Sequence, residues 1–409
     1  MAISKQDLHD RKKLSDLRVI GLLTGLELFG NERDNIETYL ALREQGAKVL
    51  VGISKNHSDS DVEKYLEELG FETFNLPFGN QWSWLWLKKY PFSIFEKINQ
   101  LFNCSRLLLE QIKLFKPTHI QMNSVMCYNY VAPALLIGRV PIIYRMGDGV
   151  PCDSAYNLQI WRLAAKQSSK IVVVSDFIKS KVLAQSVPDQ KVIKLYNLAP
   201  SRLSENNPSY QNNARKGLVY VGQLTESKGL WELLKALDQL NELNELNELN
   251  LDIVGCSRYD TDFKSQLEQW VMSHNLQDRV NFLGQVNDPT QFYLNSLIHV
   301  APSNKEEPLG MIALEAKKVG TPSIVFPSGG LPEMVRHGID GYICRDKTPE
   351  ALAEAIQWMI SDRDRLSQMG EAARADYENR FGKERFLDQW ASIYTSTLKE
   401  MPYHLVIAT

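Results

Sequence analysis

Two glutamates eight residues apart, Glu307 and Glu315, stand in the run KEEPLGMIALEAKKVGTPSIVF, residues 305–326. Leu309, Ile312, Ala313, Ala316 and Val319 recur at helical spacing between and after them. The pattern predicts a helix that opens near Asn304, with Pro308 in its first turn. Gly320 and Pro322 stop it, and residues 323–326 read as a short buried strand. On such a helix eight residues give roughly 12 Å of rise and about 80° of rotation, so both carboxylates can border one groove. The helix N-terminus offers unpaired N–H groups and a partial positive charge, which suit a phosphate. Gly310 permits close approach of a ligand to the backbone. A molecule with hydroxyl-rich ends and a phosphate middle, such as a nucleotide sugar, has the matching shape. Spacing alone leaves open an ordinary surface helix with two solvated glutamates.

The elements that would hold these groups alternate between strand-like and helix-like runs, which argues for parallel sheets covered by helices. In the first half, strands are expected at 18–23, 48–53, 119–122, 141–145, 170–174 and 192–195. In the second half they are expected at 218–221, 251–254, 280–283, 298–301 and 323–326. A polar, asparagine-rich stretch from about 198 to 216 separates the two series. The fold class is therefore α/β, as two doubly wound Rossmann-like domains, with residues 1–198 in the first and 199–382 in the second. The period-three run NELNELNELN, 241–250, is assigned no function.

At 409 residues the chain is long enough for two cores. The 46 basic against 49 acidic residues give a net charge of −3, which makes no global case for nucleic acid. Five scattered cysteines form no close pair, and a reducing cytoplasm is the simplest setting. The charged opening MAISKQDLHDRKK lacks the apolar core of a secretory signal, and no run is long enough to span a membrane. The seven histidines share no ligand spacing, so no metal site is expected, and His119 and His299 read as core or sheet-end residues. Trp82, Trp84 and Trp86 beside Lys88, Lys89 and Tyr90 have the composition of a membrane-interface segment. Packing against the first domain or lining an acceptor site fits the same residues.

The run from Ala301 to Cys344 resembles the signature segment of the retaining glycosyltransferases of family four, which have the GT-B fold. The resemblance rests on Ser303, Glu307, Gly310, Glu315, Gly320-Thr321-Pro322, Gly329-Gly330-Leu331-Pro332-Glu333 and Asp340-Gly341. It implies two domains facing a cleft, the chain's last helix, about 383–409, returning to the first. It also implies retaining, metal-independent transfer of a sugar from a nucleotide diphosphate sugar to an acceptor hydroxyl. No further cofactor is implied, and a UDP- or GDP-sugar is the expected donor.

By the same resemblance Glu307 binds the donor sugar, assisted by N–H groups around Leu309 to Met311, and Glu315 binds the ribose. Lys228 and the helix N-terminus stabilise the leaving diphosphate. Gly222, Gln223, Gly255 and Ser303 complete the donor site. Gln223 departs from the family, which has an arginine there; Arg336, Arg145 or Lys305 would have to compensate. In the first half, Gly30 and Asn31 fall in the loop near the acceptor and donor phosphate, although Phe29 replaces a family glycine. Asp148 occupies the loop that usually holds a histidine facing the transferred sugar and is expected as a catalytic-site residue that hydrogen-bonds the donor sugar or the acceptor; an ordinary turn aspartate is the plain alternative. The acceptor is expected to be a sugar or lipid-linked glycan in polysaccharide or lipid-linked glycan synthesis. The protein is then expected to act in the cytoplasm at the inner membrane face. Two other readings remain: a non-catalytic nucleotide-sugar sensor or partner subunit, and a nicotinamide oxidoreductase. The latter is disfavoured because no G-x-G-x-x-G follows either opening strand.

Overall fold

Short Val- and Ile-rich runs, mostly buried, form the strands of two sheets in the computed structural model, in which every strand pairing is parallel. It describes residues 14–26, 30–54, 60–79, 93–200, 215–243, 249–257 and 261–399. The tryptophan-rich segment around 82–86, most of the 198–216 stretch, residues 244–248 of the period-three run and residues 400–409 lie outside these.

The first sheet contains β1 Arg18–Leu22, β2 Lys48–Ile53, β3 Glu72–Asn75, β4 His119–Met122, β5 Ile142–Met146, β6 Lys170–Val173 and β7 Val192–Lys194. Its order is β3-β2-β1-β4-β5-β6-β7. The second contains β8 Leu218–Val221, β9 Leu251–Val254, β10 Val280–Gly284, β11 Ile298–Ala301, β12 Ser323–Val325 and β13 Gly341–Ile343. Its order is β10-β9-β8-β11-β12-β13. Each order reverses beside its opening strand, between β1 and β4 and between β8 and β11. In doubly wound sheets that reversal opens a crevice at the strand C-termini. Two strands are absent from the expected set, β3 and β13. The β3 sequence ETFN is polar and half-exposed, and β13 is three residues at a sheet edge. Neither carries a buried apolar run.

The chain divides into two units, Met1–Tyr196 with Glu384–Thr409, and Asn197–Lys383. The Lys383–Lys399 helix packs in the first unit, burying Phe386, Trp390, Ile393 and Tyr394. The Tyr394 hydroxyl donates to Gln121 Oε1 (2.6 Å), and Gln121 Nε2 donates to Asn35 Oδ1 (2.9 Å). That chain of bonds joins the terminal helix through β4 to the Gly30–Glu44 helix. In the second unit the core gathers leucines of the Leu230–Glu242 helix, strands β8, β9 and β11, and the Pro349–Ile360 helix.

His119 and His299 are both fully buried strand residues, as expected for core positions. Burial pushes each imidazole down to about 3. Among the described residues no helix is long and apolar enough to cross a membrane.

Candidate functional site

In the second unit the crevice between β8 and β11 is lined by the loops that leave those strands. The loop after β8 passes Gly222 and Gln223 and ends in the turn Glu226–Lys228. The loop after β11 carries Ser303 and Glu307. Asn304 and Lys305 donate their backbone N–H groups to Ser227 O (3.0 and 3.1 Å), which lashes the two loops together. Lys228 Nζ then reaches Glu307 Oε1 at 2.6 Å, and Ser303 Oγ donates to the same oxygen at 2.7 Å. The Lys228 and Glu307 side chains are 27 % and 18 % exposed, so the pair is held yet open to solvent. Burial, with the Glu307 charge adding to it, holds the neighbouring Tyr220 phenol well above its ordinary range.

The helix starts later than its sequence suggests, at Met311, and runs to Lys318. Gly310 caps it with φ at 105°, a left-handed conformation that no helical turn contains. Residues 305–309 are instead drawn into a bridge between Glu307 and Gly329, with Gly330 N–H donating to Glu307 O (2.7 Å). Pro308 is therefore outside the helix, and the rise and rotation expected between the two glutamates do not apply. Glu307 stands before the helix mouth and Glu315 one turn inside. Leu309 is buried and Met311, the first helical residue, is half-buried. The cap is a glycine, so no side chain of the capping residue bonds the first N–H groups, an arrangement compatible with an anion at the helix mouth.

Glu315 is buried and accepts from the Tyr293 hydroxyl (3.3 Å). Tyr293 was not legible as a site residue, because nothing in sequence marks it against a glutamate two elements later. Gly222 and Gly255 end β8 and β9, and a Cβ on Gly255 would lie 1.8 Å from Gly222 O. Only glycine admits that backbone approach beside the crevice. Gln223 is exposed, its carbonyl accepting from Tyr220 (2.7 Å).

The cations named to offset Gln223 fare differently. Arg336 is engaged by Asp340 (2.6 Å) and Asp376 (3.3 Å). Arg145 is fully buried, paired with Asp34 (3.0 Å) and bonded to Leu195 O (3.0 Å). Both guanidinium groups are already engaged by carboxylates. Lys305 is exposed beside the site.

In the first unit the ends of β1 and β4 meet through Thr24 Oγ1 and Ser124 Oγ (3.1 Å). Gly30 and Asn31 open the Gly30–Glu44 helix, and Asn31 Nδ2 donates to the exposed Asp148 Oδ2 (3.4 Å). Glu32 folds back over Gly25. Burial is the main cause lifting its carboxyl above the ordinary range; its own backbone N–H opposes this, and the Asp148 charge adds to it. The structure thus gathers Lys228, Ser303, Glu307, Leu309, Gly310, Met311 and Glu315 around one helix, and Gly30, Asn31 and Asp148 at another. Among the described residues no group of His, Cys, Asp and Glu has metal-ligand geometry.

Residues 204–376 match the family model for glycosyl transferases group 1. Over this segment the chain is similar to that family. An uncharacterized glycosyltransferase of Methanocaldococcus jannaschii is 26 % identical over 253 residues, 58 % of this chain and 63 % of that one. The capsular polysaccharide biosynthesis glycosyltransferase CapM of Staphylococcus aureus is 23 % identical over 252 residues, 58 % of this chain and 64 % of that one. Both matches thus span less than two thirds of the relative. The crystal structure of Anabaena HepE with UDP covers 93 % of this chain and all of that one, at 21 % identity and a TM-score of 0.78. The same protein has been solved with UDP and glucose, at a TM-score of 0.75. The two-unit α/β fold of this chain is that of the GT-B glycosyltransferases.

Proposed function

We propose that this protein is a retaining glycosyltransferase of the hexosyl type, which moves a sugar from a nucleotide diphosphate sugar to an acceptor hydroxyl. The observation that carries the reading is the Lys228–Glu307–Ser303 contact at the mouth of the Gly310-capped helix, with Glu315 one turn within. It lies at the strand-order reversal, where such sheets take their ligands. Lys228 leaves Glu307 for the diphosphate when donor binds, and the helix N–H groups share the phosphate charge. Glu307, freed of its cation and still held by Ser303, accepts from sugar hydroxyls, while Glu315 accepts from the ribose. Both anion-binding elements act hardest where charge grows, on the departing diphosphate, and they do so without a metal ion. The bond from the anomeric carbon to the diphosphate oxygen breaks, the acceptor oxygen takes its place on the same face, and its proton passes to the leaving phosphate.

UDP or GDP is the expected nucleotide; HepE, which shares the fold, was solved with UDP. The acceptor, a sugar or lipid-linked glycan, is assigned to Asn31 and Asp148 of the first unit. A role in polysaccharide synthesis agrees with the printed function of the S. aureus relative. Work at the inner membrane face agrees with Phe95 and Phe102, two exposed rings on the Ser93–Phe115 helix that follows the tryptophan segment. Loss of liposome binding on replacing Trp82, Trp84 and Trp86 tests that placement; unchanged binding contradicts it.

Release of UDP, GDP or ADP from the corresponding sugar nucleotides in EDTA-containing buffer tests the chemistry. The wild type should turn over one of them, and Glu307→Ala should lower kcat/KM by roughly a hundredfold or more. Full activity in that variant overturns the reading.

A further inference from the structure

Beneath the site lies a charge cluster that the proposed chemistry does not use. Lys317 is 2 % exposed, and its Nζ sits 2.8 Å from Asp340 Oδ2 and 2.6 Å from Asp376 Oδ2. Both aspartates are buried. Arg336 Nε adds contacts of 2.6 Å to Asp340 and 3.3 Å to Asp376, and Arg380 reaches Asp376 at 3.1 Å. Three cations thus surround two carboxylates.

What these charges connect is specific. Lys317 belongs to the Met311–Lys318 helix, two residues beyond Glu315 and on the side away from it. Asp376 and Arg380 belong to the Arg363–Phe381 helix. Arg380 also donates to Glu333 O (2.9 Å), in the turn Leu331–Met334. Leu331 of that turn rests on Gly310, where an added Cβ would meet its methyl carbon at 2.4 Å. The preceding Gly330 N–H holds Glu307 O (2.7 Å). One side of the cluster therefore fixes the helix that carries Glu315, and the other fixes the turn whose preceding Gly330 holds the Glu307 backbone.

We infer that Lys317, Asp340, Asp376 and Arg380 are positioning residues that set the separation of Glu307 and Glu315, and with it affinity for the nucleotide sugar. The inference rests on the donor reading above. Buried ion clusters often contribute little net stability compared with apolar groups of similar volume, because desolvating the charges offsets their attraction. What they supply is direction: each salt-bridged hydrogen bond admits a narrow range of geometries. A misplacement of about an ångström at a binding constellation can cost up to a hundredfold.

The test compares wild type with Lys317→Met/Asp340→Asn/Asp376→Asn, which removes the central charges together. UDP-glucose, GDP-glucose and ADP-glucose are titrated calorimetrically, and melting temperatures are read in parallel. The wild type should bind one of the three. The triple variant should melt within a few degrees of wild type yet bind that donor roughly tenfold or more weakly. Should the triple variant fail to fold, Arg380→Met decides the matter. It leaves two cations for two carboxylates and removes the ties of Arg380 to Asp376 and to Glu333 O, so it should fold and still bind the donor several-fold more weakly. Wild-type affinity in a folded variant overturns the positioning role and leaves the donor reading standing. A wild type that binds none of the three overturns both.

Discussion

Glu307 receives two donors of different character on one oxygen, the mobile ammonium of Lys228 and the fixed hydroxyl of Ser303. A lysine tip moves through several rotatable bonds, whereas Ser303 is buried, its Oγ also lying 3.0 Å from Lys305 O. On the proposed reading the serine keeps the carboxylate aimed while the lysine exchanges partners. Gly310 is the backbone counterpart of that fixed point. Alanine at this position must adopt a left-handed φ and also displace Leu331, so Gly310→Ala should lower stability of the second unit by about 1–3 kcal/mol. It should also weaken nucleotide binding, because the helix mouth shifts. Urea melts with a titration of the preferred donor check both; unchanged values in both would contradict this role. Residues of this kind were legible because type and spacing mark them directly. Tyr293 and Arg145 were not, since their partners Glu315 and Asp34 lie far along the chain and no spacing rule joins them.

At the scale of elements, most strands were legible because parallel sheets bury both faces and leave unbroken Val- and Ile-rich runs. Two of the four edge strands were missed: β3 and β13 are half covered and carry weak apolar patterns. The start of the signature helix failed because Pro308 suits a first helical turn, while the Glu307–Gly329 bridge holds that stretch extended. Each sheet also encloses one histidine, His119 in β4 and His299 in β11. Both imidazoles are pushed down to about 3, so the folded chain keeps them neutral where the unfolded chain takes up protons. Their contribution is complete above the unfolded pKa of about 6.5 and falls as pH drops towards 3. Each then costs about 1.4 kcal/mol per pH unit within that window. His299→Asn should be less stable at pH 7.5 yet lose stability less steeply between pH 6 and 4. Denaturant midpoints across that range measure the slope, and an unaltered slope would contradict the assignment.

For the molecule as a whole, the terminal helix makes the first unit discontinuous in sequence. Trp390 is fully buried, 5.8 Å from the Tyr394 ring and 5.4 Å from the Arg145 guanidinium. Trp390→Ala should destabilise the first unit by about 3–5 kcal/mol and leave the second unit's melting transition in place. Calorimetry separates the two, and a shift confined to the second transition would contradict the packing described. The division into two series of strands was readable from the polar stretch between them. The gathering of Lys228, Ser303, Glu307 and Glu315 at the β8–β11 reversal was readable only through the resemblance of the signature run, since sheet order is a property of pairing and not of any segment. The most direct test is a crystal structure grown with the nucleotide sugar that raises the melting temperature most. The diphosphate should lie within hydrogen-bond reach of Lys228 Nζ and the N–H groups of Leu309 to Met311, with ribose at Glu315 and sugar at Glu307. A nucleotide bound elsewhere, with the Lys228–Glu307 pair intact, would contradict the account.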